Sequence, residues 1–158
     1  NQHYHFNNNE ANVLCNKLIE IKNNQKDIEL NIVTSRRTSD TVKKILIKKL
    51  NNISKIWTGE GKNPYIESIQ KSSFFIVTSD STSMISEAAA SGKPIYIYHL
   101  TFKRKSKRIE NFHKEFSKLG ITKDIINFNH LINWTYNPLN ESQRIAMIIK
   151  KRIIKENI

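Results

Sequence analysis

Residues 78–98 read TSDSTSMISEAAASGKPIYIY, and the order of residue types in this stretch decides the fold. The apolar run Phe74–Val77 stops at a cluster of small polar residues. An Ala-rich segment follows and carries one acid, Glu87. Gly92 and Pro94 end it, and a second apolar run begins at Ile95. The pattern is strand, polar loop, helix, strand. In a parallel sheet such a loop places a helix N-terminus at the carboxyl edge of the strands, where phosphates bind.

The same alternation extends outward in both directions. Ala11, Val13, Leu14, Leu18 and Ile21 recur at helical spacing within residues 10–23. Residues 28–34 read as a strand. Ser39 and Asp40 can cap a helix to about Asn51, with Val42, Ile45, Leu46 and Leu50 inward. Residues 53–57 read as a short strand, and Pro64 opens a helical turn through Ile69. Residues 106–119 read as an amphipathic helix with Ile109, Phe112, Phe116 and Leu119 inward, ended by Gly120. Residues 121–134 are less regular, and a last basic helix is expected over 141–156. Repeated strand–helix alternation predicts an α/β, Rossmann-like three-layer αβα domain with a mainly parallel sheet.

Bulk composition narrows the classes. The chain has 158 residues, long enough for one domain with a sizeable core. The single cysteine, Cys15, excludes an intramolecular disulfide framework and fits a reducing compartment, so a cytoplasmic location is expected. Its plain reading is a buried small hydrophobe on a helix. The net charge of +12 invites a nucleic-acid reading. The excess of Lys, Asn and Ile is also what an AT-rich genome encodes. The basic residues are dispersed without an aromatic stacking motif, so no nucleic-acid partner is expected. The basic run Lys103–Arg108 can touch anionic lipid, as a peripheral contact with the inner membrane, although a solvated face is the simpler reading. The opening residues NQHYHFNNNE read as a loop entered from upstream. Residues 1–158 are therefore expected to form one domain, a fragment of a longer protein.

Every loop that follows a strand falls on one edge of a parallel sheet. Those loops are Ser35–Thr38, Thr58–Gly61, Ser79–Thr82 and His99–Thr101, and all four are polar. Ser81, Thr82 and Ser83 stand at a helix start, where free N–H groups and the helix dipole suit a phosphate. Plain N-capping is the competing reading. Glu87 shares a helix face with Ser83, and its carboxylate can accept from both hydroxyls of a ribose. The alternative is a solvated helix acid. Arg36 and Arg37 offer planar forks to phosphate oxygens, or pair with nearby acids on the surface. Gly59 and Glu60 sit in a tight loop that can approach a base or sugar, or simply join a strand to a helix.

Several chemistries lack their motif. The five histidines show no metal spacing, and no Asp-x-Asp pair occurs among Asp27, Asp40, Asp80 and Asp124. There is no G-x-G-x-x-G and no G-x-x-x-x-G-K-[ST].

VTSRRT (33–38), WTGEGKNPY (57–65) and TSDSTSMISEAAASGKPIYIY (78–98) together resemble the mitochondrial fission family of plant elongated-mitochondria proteins and its bacterial relatives. HYHF at 3–6, ahead of a helix, fits the same pattern. The resemblance covers most of residues 3–120. That family is similar to the C-terminal, donor-binding half of glycosyltransferases of the B fold. The resemblance implies a ribose-binding role for Glu87, diphosphate-binding amides at Ser81–Ser83, and a basic residue, Arg36 or Arg37, that neutralises the leaving group. It implies a nucleotide-diphosphate sugar as substrate, no cofactor and no metal, and an acceptor site on the protein's own N-terminal domain. Relatives labelled as nucleoside-diphosphate-sugar epimerases are a poor guide here. Tyr65 is not followed by a Lys at the spacing of short-chain epimerases, and the dinucleotide loop is missing. Plant relatives act as outer-membrane adaptors for a dynamin-like protein, which leaves a non-catalytic interaction module as the alternative.

Overall fold

Asn7 and Ser39 start the first two helices. The Asn7 side chain accepts from the Glu10 amide at 3.0 Å, and Ser39 Oγ accepts from the Val42 amide at 3.4 Å. Each satisfies a donor that a helix start leaves without an intrahelical partner. In this computed structural model, which describes residues 3–138, helix α1 spans Asn8–Asn24 and α2 spans Asp40–Leu50. The last helix expected from the sequence, over 141–156, lies outside the described residues. α1 buries Ala11, Leu14, Cys15, Leu18 and Ile21, a stripe at three- and four-residue spacing. Val13 falls off that stripe and is 42% exposed. Cys15 is fully buried as a small hydrophobe, and burial pushes its thiol pKa up.

The strands are β1 (Leu30–Val33), β2 (Ser54–Trp57), β3 (Phe75–Thr78), β4 (Ile95–Tyr98) and β5 (Thr122–Asp124). Helices α3 (Tyr65–Lys71), α4 (Thr82–Ala89) and α5 (Lys107–Lys118) connect the later ones. All pairings are parallel: β1 with β2, β3 with β4, and β4 with β5. The architecture is α/β with a Rossmann-like αβα arrangement, as the strand–helix alternation predicts. The strands form two sheets, β1-β2 and β3-β4-β5, rather than one continuous sheet.

Side-chain alternation along β4 separates two cores. Tyr96 and Tyr98 pack with α1 and α2, through Leu14, Leu18, Val42 and Leu46. Ile95 and Ile97 pack with Ile85 and Ala88 of α4 and with Phe112 and Phe116 of α5. Successive strand residues point to opposite faces, so helices cover both sides of this sheet. All four residues of β4 are buried, as befits a central parallel strand.

Several local features differ from the sequence reading. Leu119, expected inward, is 54% exposed because α5 ends at Lys118 and the chain turns away. Pro64 stands just before α3 as its cap residue, not at its first helical position. The segment 121–134 contains β5, a third strand of the sheet, followed by a 3-10 turn at Ile125–Asn127. Beyond that turn the chain is held by side chains. Gln25 bonds both the amide and the carbonyl of Leu131, and the Tyr96 hydroxyl bonds both those of Ile132. Residues 3–6 are docked: Tyr4 is 3% exposed, stacks on Phe102 at 4.6 Å and bridges to it in antiparallel fashion.

Candidate functional site

The loop from β3 into α4 is fixed before any ligand arrives. The Ser79 amide donates to the Tyr98 carbonyl, and its hydroxyl accepts from the Leu100 amide, both at 3.0 Å. Its carbonyl accepts from His113 Nε2 at 2.8 Å. A carbonyl only accepts, so His113 carries its proton on Nε2. Burial lowers the His113 pKa most; the bond to Ser79 opposes this and the nearby His99 adds to it. Ser79 is itself fully buried. The polar residues after it are thus presented on a rigid base at the carboxyl edge.

α4 starts without a side-chain cap. Ser81 occupies the cap position and is buried, yet its hydroxyl makes no capping bond. Plain N-capping therefore does not account for Ser81. With no capping bond from Ser81 and no acid in its first turn, the start of α4 has the positive end that suits an anion.

Between β1 and β3 lies a cavity of about 990 Å³. Its mouth at the carboxyl ends of the strands is polar, lined by Thr34, Ser35, Arg37, Thr38, Asp80 and Ser81. Two of the residues singled out from sequence, Arg37 and Ser81, line this cavity. Arg36, Gly59, Glu60, Thr82, Ser83 and Glu87 do not line it; the first five sit in loops or at the start of α4 at the same edge, and Glu87 lies in the last turn of α4. Gly59 and Gly61 have φ of +118° and +72°, conformations that favour glycine. A Cβ at either would meet nothing within 4 Å, so the loop conformation, not crowding, requires them. Trp57 lines the cavity too, and its indole N–H is buried with no acceptor among the described residues.

Glu87 is exposed on α4, and Tyr65 at the start of α3 donates its hydroxyl to the Glu87 carboxylate. Burial, and then the bond to Glu87 and its charge, hold the Tyr65 phenol well above its ordinary range. The Tyr65 hydroxyl thus already stands against the Glu87 carboxylate. Tyr65 also lines the cavity.

A second anchor lies across the same edge. Glu10 of α1 accepts from the Tyr98 hydroxyl at 2.9 Å and from the Thr101 amide at 3.1 Å and hydroxyl at 2.5 Å. Burial alone raises the Glu10 pKa, but these hydrogen bonds outweigh it and the net shift is downward. The loop it holds leads into Lys103, Arg104 and Lys105, all exposed. Sequence reasoning missed Tyr65, Glu10, Ser79 and His113, because each works through a partner between 21 and 91 residues away. Among the described residues, no group of three or more His, Cys, Asp or Glu is placed to hold a metal. No helix among them is long and apolar enough to cross a membrane.

Comparison with known proteins gives the chain its relatives. Mitochondrial fission protein ELM1 of Arabidopsis thaliana is 32% identical over 128 residues, covering 77% of this chain and 29% of that protein. An uncharacterized protein of Rickettsia prowazekii (strain Madrid E) is 35% identical over 159 residues, covering 95% of this chain and 43% of its own length. The chain thus spans less than half the length of either relative. No solved structure matches it significantly. The model of the family Mitochondrial fission ELM1 matches residues 1–153, and on that match the chain belongs to this family.

Proposed function

We propose that this domain binds the nucleotide-diphosphate part of a sugar donor at the carboxyl edge of its strands, as the donor-binding half of a glycosyltransferase-like protein. The observation that carries the reading is the cavity between β1 and β3, lined by Arg37 from the loop after one strand and by Ser81 from the loop after the other. The chain runs from β1 to β2 on one side of this gap and from β3 through β4 to β5 on the other. Ligands of open α/β sheets bind outside the strand ends at such a switch point. The uncapped start of α4 supplies donors for phosphate oxygens, and Arg37 supplies a fork that matches them. In sugar transfer the bond from the sugar's anomeric carbon to the diphosphate oxygen breaks while a bond to an acceptor oxygen forms. These groups then stabilise the departing diphosphate, and the acceptor's proton passes to a base on another domain. Glu87 is the ribose ligand in this reading, which requires Tyr65 to yield or share its bond.

That requirement favours a second reading. Tyr65 already occupies the place beside the Glu87 carboxylate. A domain that kept the fold but serves as an interaction module has no need of that space, and a plant relative is named for mitochondrial fission. Calorimetric titration with UDP and GDP separates the two. Saturable binding weakened by Arg37→Ala and by Glu87→Ala supports the donor site. No saturable binding by any nucleoside diphosphate at millimolar concentration sinks it and leaves the interaction module.

A further inference from the structure

We infer that α3 is a flap over Glu87, hinged at its C-terminal end and latched at its start by the Tyr65 hydroxyl on the Glu87 carboxylate. α3 buries none of its seven residues, whereas α1, α2, α4 and α5 each bury at least three. A helix this short has little stability of its own and depends on what it packs against. Its first turn has few such contacts. Ile66 is 66% exposed, and Glu67 pairs with Lys71 of the same helix at 2.7 Å. Pro64 gives no side-chain cap, and the Tyr65 amide donates to Asn63 of the preceding loop at 2.9 Å. Among the described residues, the Tyr65 hydroxyl thus makes the one side-chain hydrogen bond that ties this turn to another helix or strand.

The other end of α3 is pinned. Lys93, just ahead of β4, donates from Nζ to the carbonyls of Gln70 at 2.9 Å and Ile69 at 3.5 Å. A cation there satisfies the last carbonyls of the helix and meets the negative end of its dipole. Lys93 is held in turn: its carbonyl accepts from the Tyr136 hydroxyl at 2.7 Å, and its ammonium lies 5.9 Å from the centre of the Phe75 ring. Ile69 packs against the core that β4 shares with α4 and α5. The catch is firm as well, since Ile85, Ala88 and Ala89 around Glu87 are at most 1% exposed. The loop at the latched end has room to absorb the motion. Residues 59–63 are all exposed, and a Cβ at Gly59 or Gly61 meets nothing within 4 Å.

The chemistry of the latch restricts what opens it. Among the described residues, Glu87 has no hydrogen bond or ion pair besides that to Tyr65. A ligand that displaces the phenol has to bring a donor of its own, a hydroxyl or an N–H, and a phosphate at this point meets a like charge. The flap stands apart from the nucleotide proposed above; in that reading the ribose supplies the hydroxyl.

Amide hydrogen exchange, resolved by residue and run without nucleotide, tests it. The Ser68 amide bonds the Pro64 carbonyl at 2.8 Å at the latched end, and the Ser72 amide bonds the Ser68 carbonyl at 3.0 Å at the pinned end. Tyr65→Phe should speed exchange at Ser68 about three- to tenfold, the loss of one partly screened charge-assisted bond, and leave Ser72 and Ile97 of β4 within about twofold. Glu87→Ala should do the same, and the double variant should go no further than either single one. Lys93→Met should speed Ser72 more than Ser68. Exchange at Ser68 that changes less than about twofold in both single variants overturns the latch. So do Ser68, Ser72 and Ile97 speeding alike, which is unfolding of the domain, and effects of Tyr65→Phe and Glu87→Ala that multiply in the double variant. A Lys93→Met variant that speeds Ser68 as much as Ser72 overturns the hinge.

Discussion

The Tyr65 hydroxyl donates to the Glu87 carboxylate and joins the first turn of α3 to the last of α4. The bond links the helix that follows β2 to the helix that follows β3. It also couples two titrations. Glu87→Ala removes the bond and the charge that help raise the Tyr65 phenol, leaving burial alone. Near-UV difference absorbance should show one tyrosine titrating at lower pH in Glu87→Ala than in the parent. An unchanged titration curve would deny the bond in solution. Tyr65→Phe should leave Glu87 free and strengthen nucleotide binding in the donor-site reading, and leave it undetectable in the other.

Arg36 and Arg37 are adjacent but not equivalent. Arg37 lines the cavity mouth and Arg36 does not. Arg37→Ala is expected to weaken nucleoside-diphosphate binding about tenfold, the loss of one charge-assisted bond, and Arg36→Ala less than about threefold. Calorimetric Kd values for the two variants check this. Equal losses would show that general positive charge, not the cavity mouth, attracts the ligand.

Glu10 predicts a weak point in acid. Its folded pKa lies below the ordinary 4.5, so its contribution to stability is complete above that value. The contribution is lost as pH falls through the folded pKa. Glu10→Gln should cost about 1 kcal/mol at neutral pH, since the carboxylate is partly exposed and its bonds are screened. The parent's advantage over the variant in urea unfolding should shrink below about pH 4.5. A constant difference across that range would remove Glu10 from the acid response.

His113 acts in a higher window. Its folded pKa is depressed below 6.5, so the neutral ring's contribution is complete above that value. It declines as pH falls from the unfolded pKa toward the folded one, as the unfolded chain takes up the proton first. His113→Phe leaves the Ser79 carbonyl without this donor and should cost about 1–3 kcal/mol. Urea midpoints at about pH 8 and about pH 5.5 should converge in the variant more than in the parent.

The order of elements was legible because it rests on local rules. The stop of the apolar run at Thr78, the Ala-rich helix and the restart at Ile95 recur in the structure within a residue or two. Cap residues such as Ser39 act within three positions, and helical stripes show in spacing alone. β5 was not legible, since Thr122–Asp124 is short and polar and becomes a strand only by pairing with β4. Leu119 reads as core by periodicity, but the helix ends one residue earlier.

Sequence by itself determined the fold class, the family and the edge on which polar loops gather. These follow from hydrophobic period, turn chemistry and motif spacing along the chain. Tertiary structure alone decided which of those loop residues share a cavity, that Tyr65 sits on Glu87, and that the sheet opens between β1 and β3. Each of these depends on groups far apart in the chain meeting in space. Strand order and hydrogen-bond partners across such distances leave no period in the sequence.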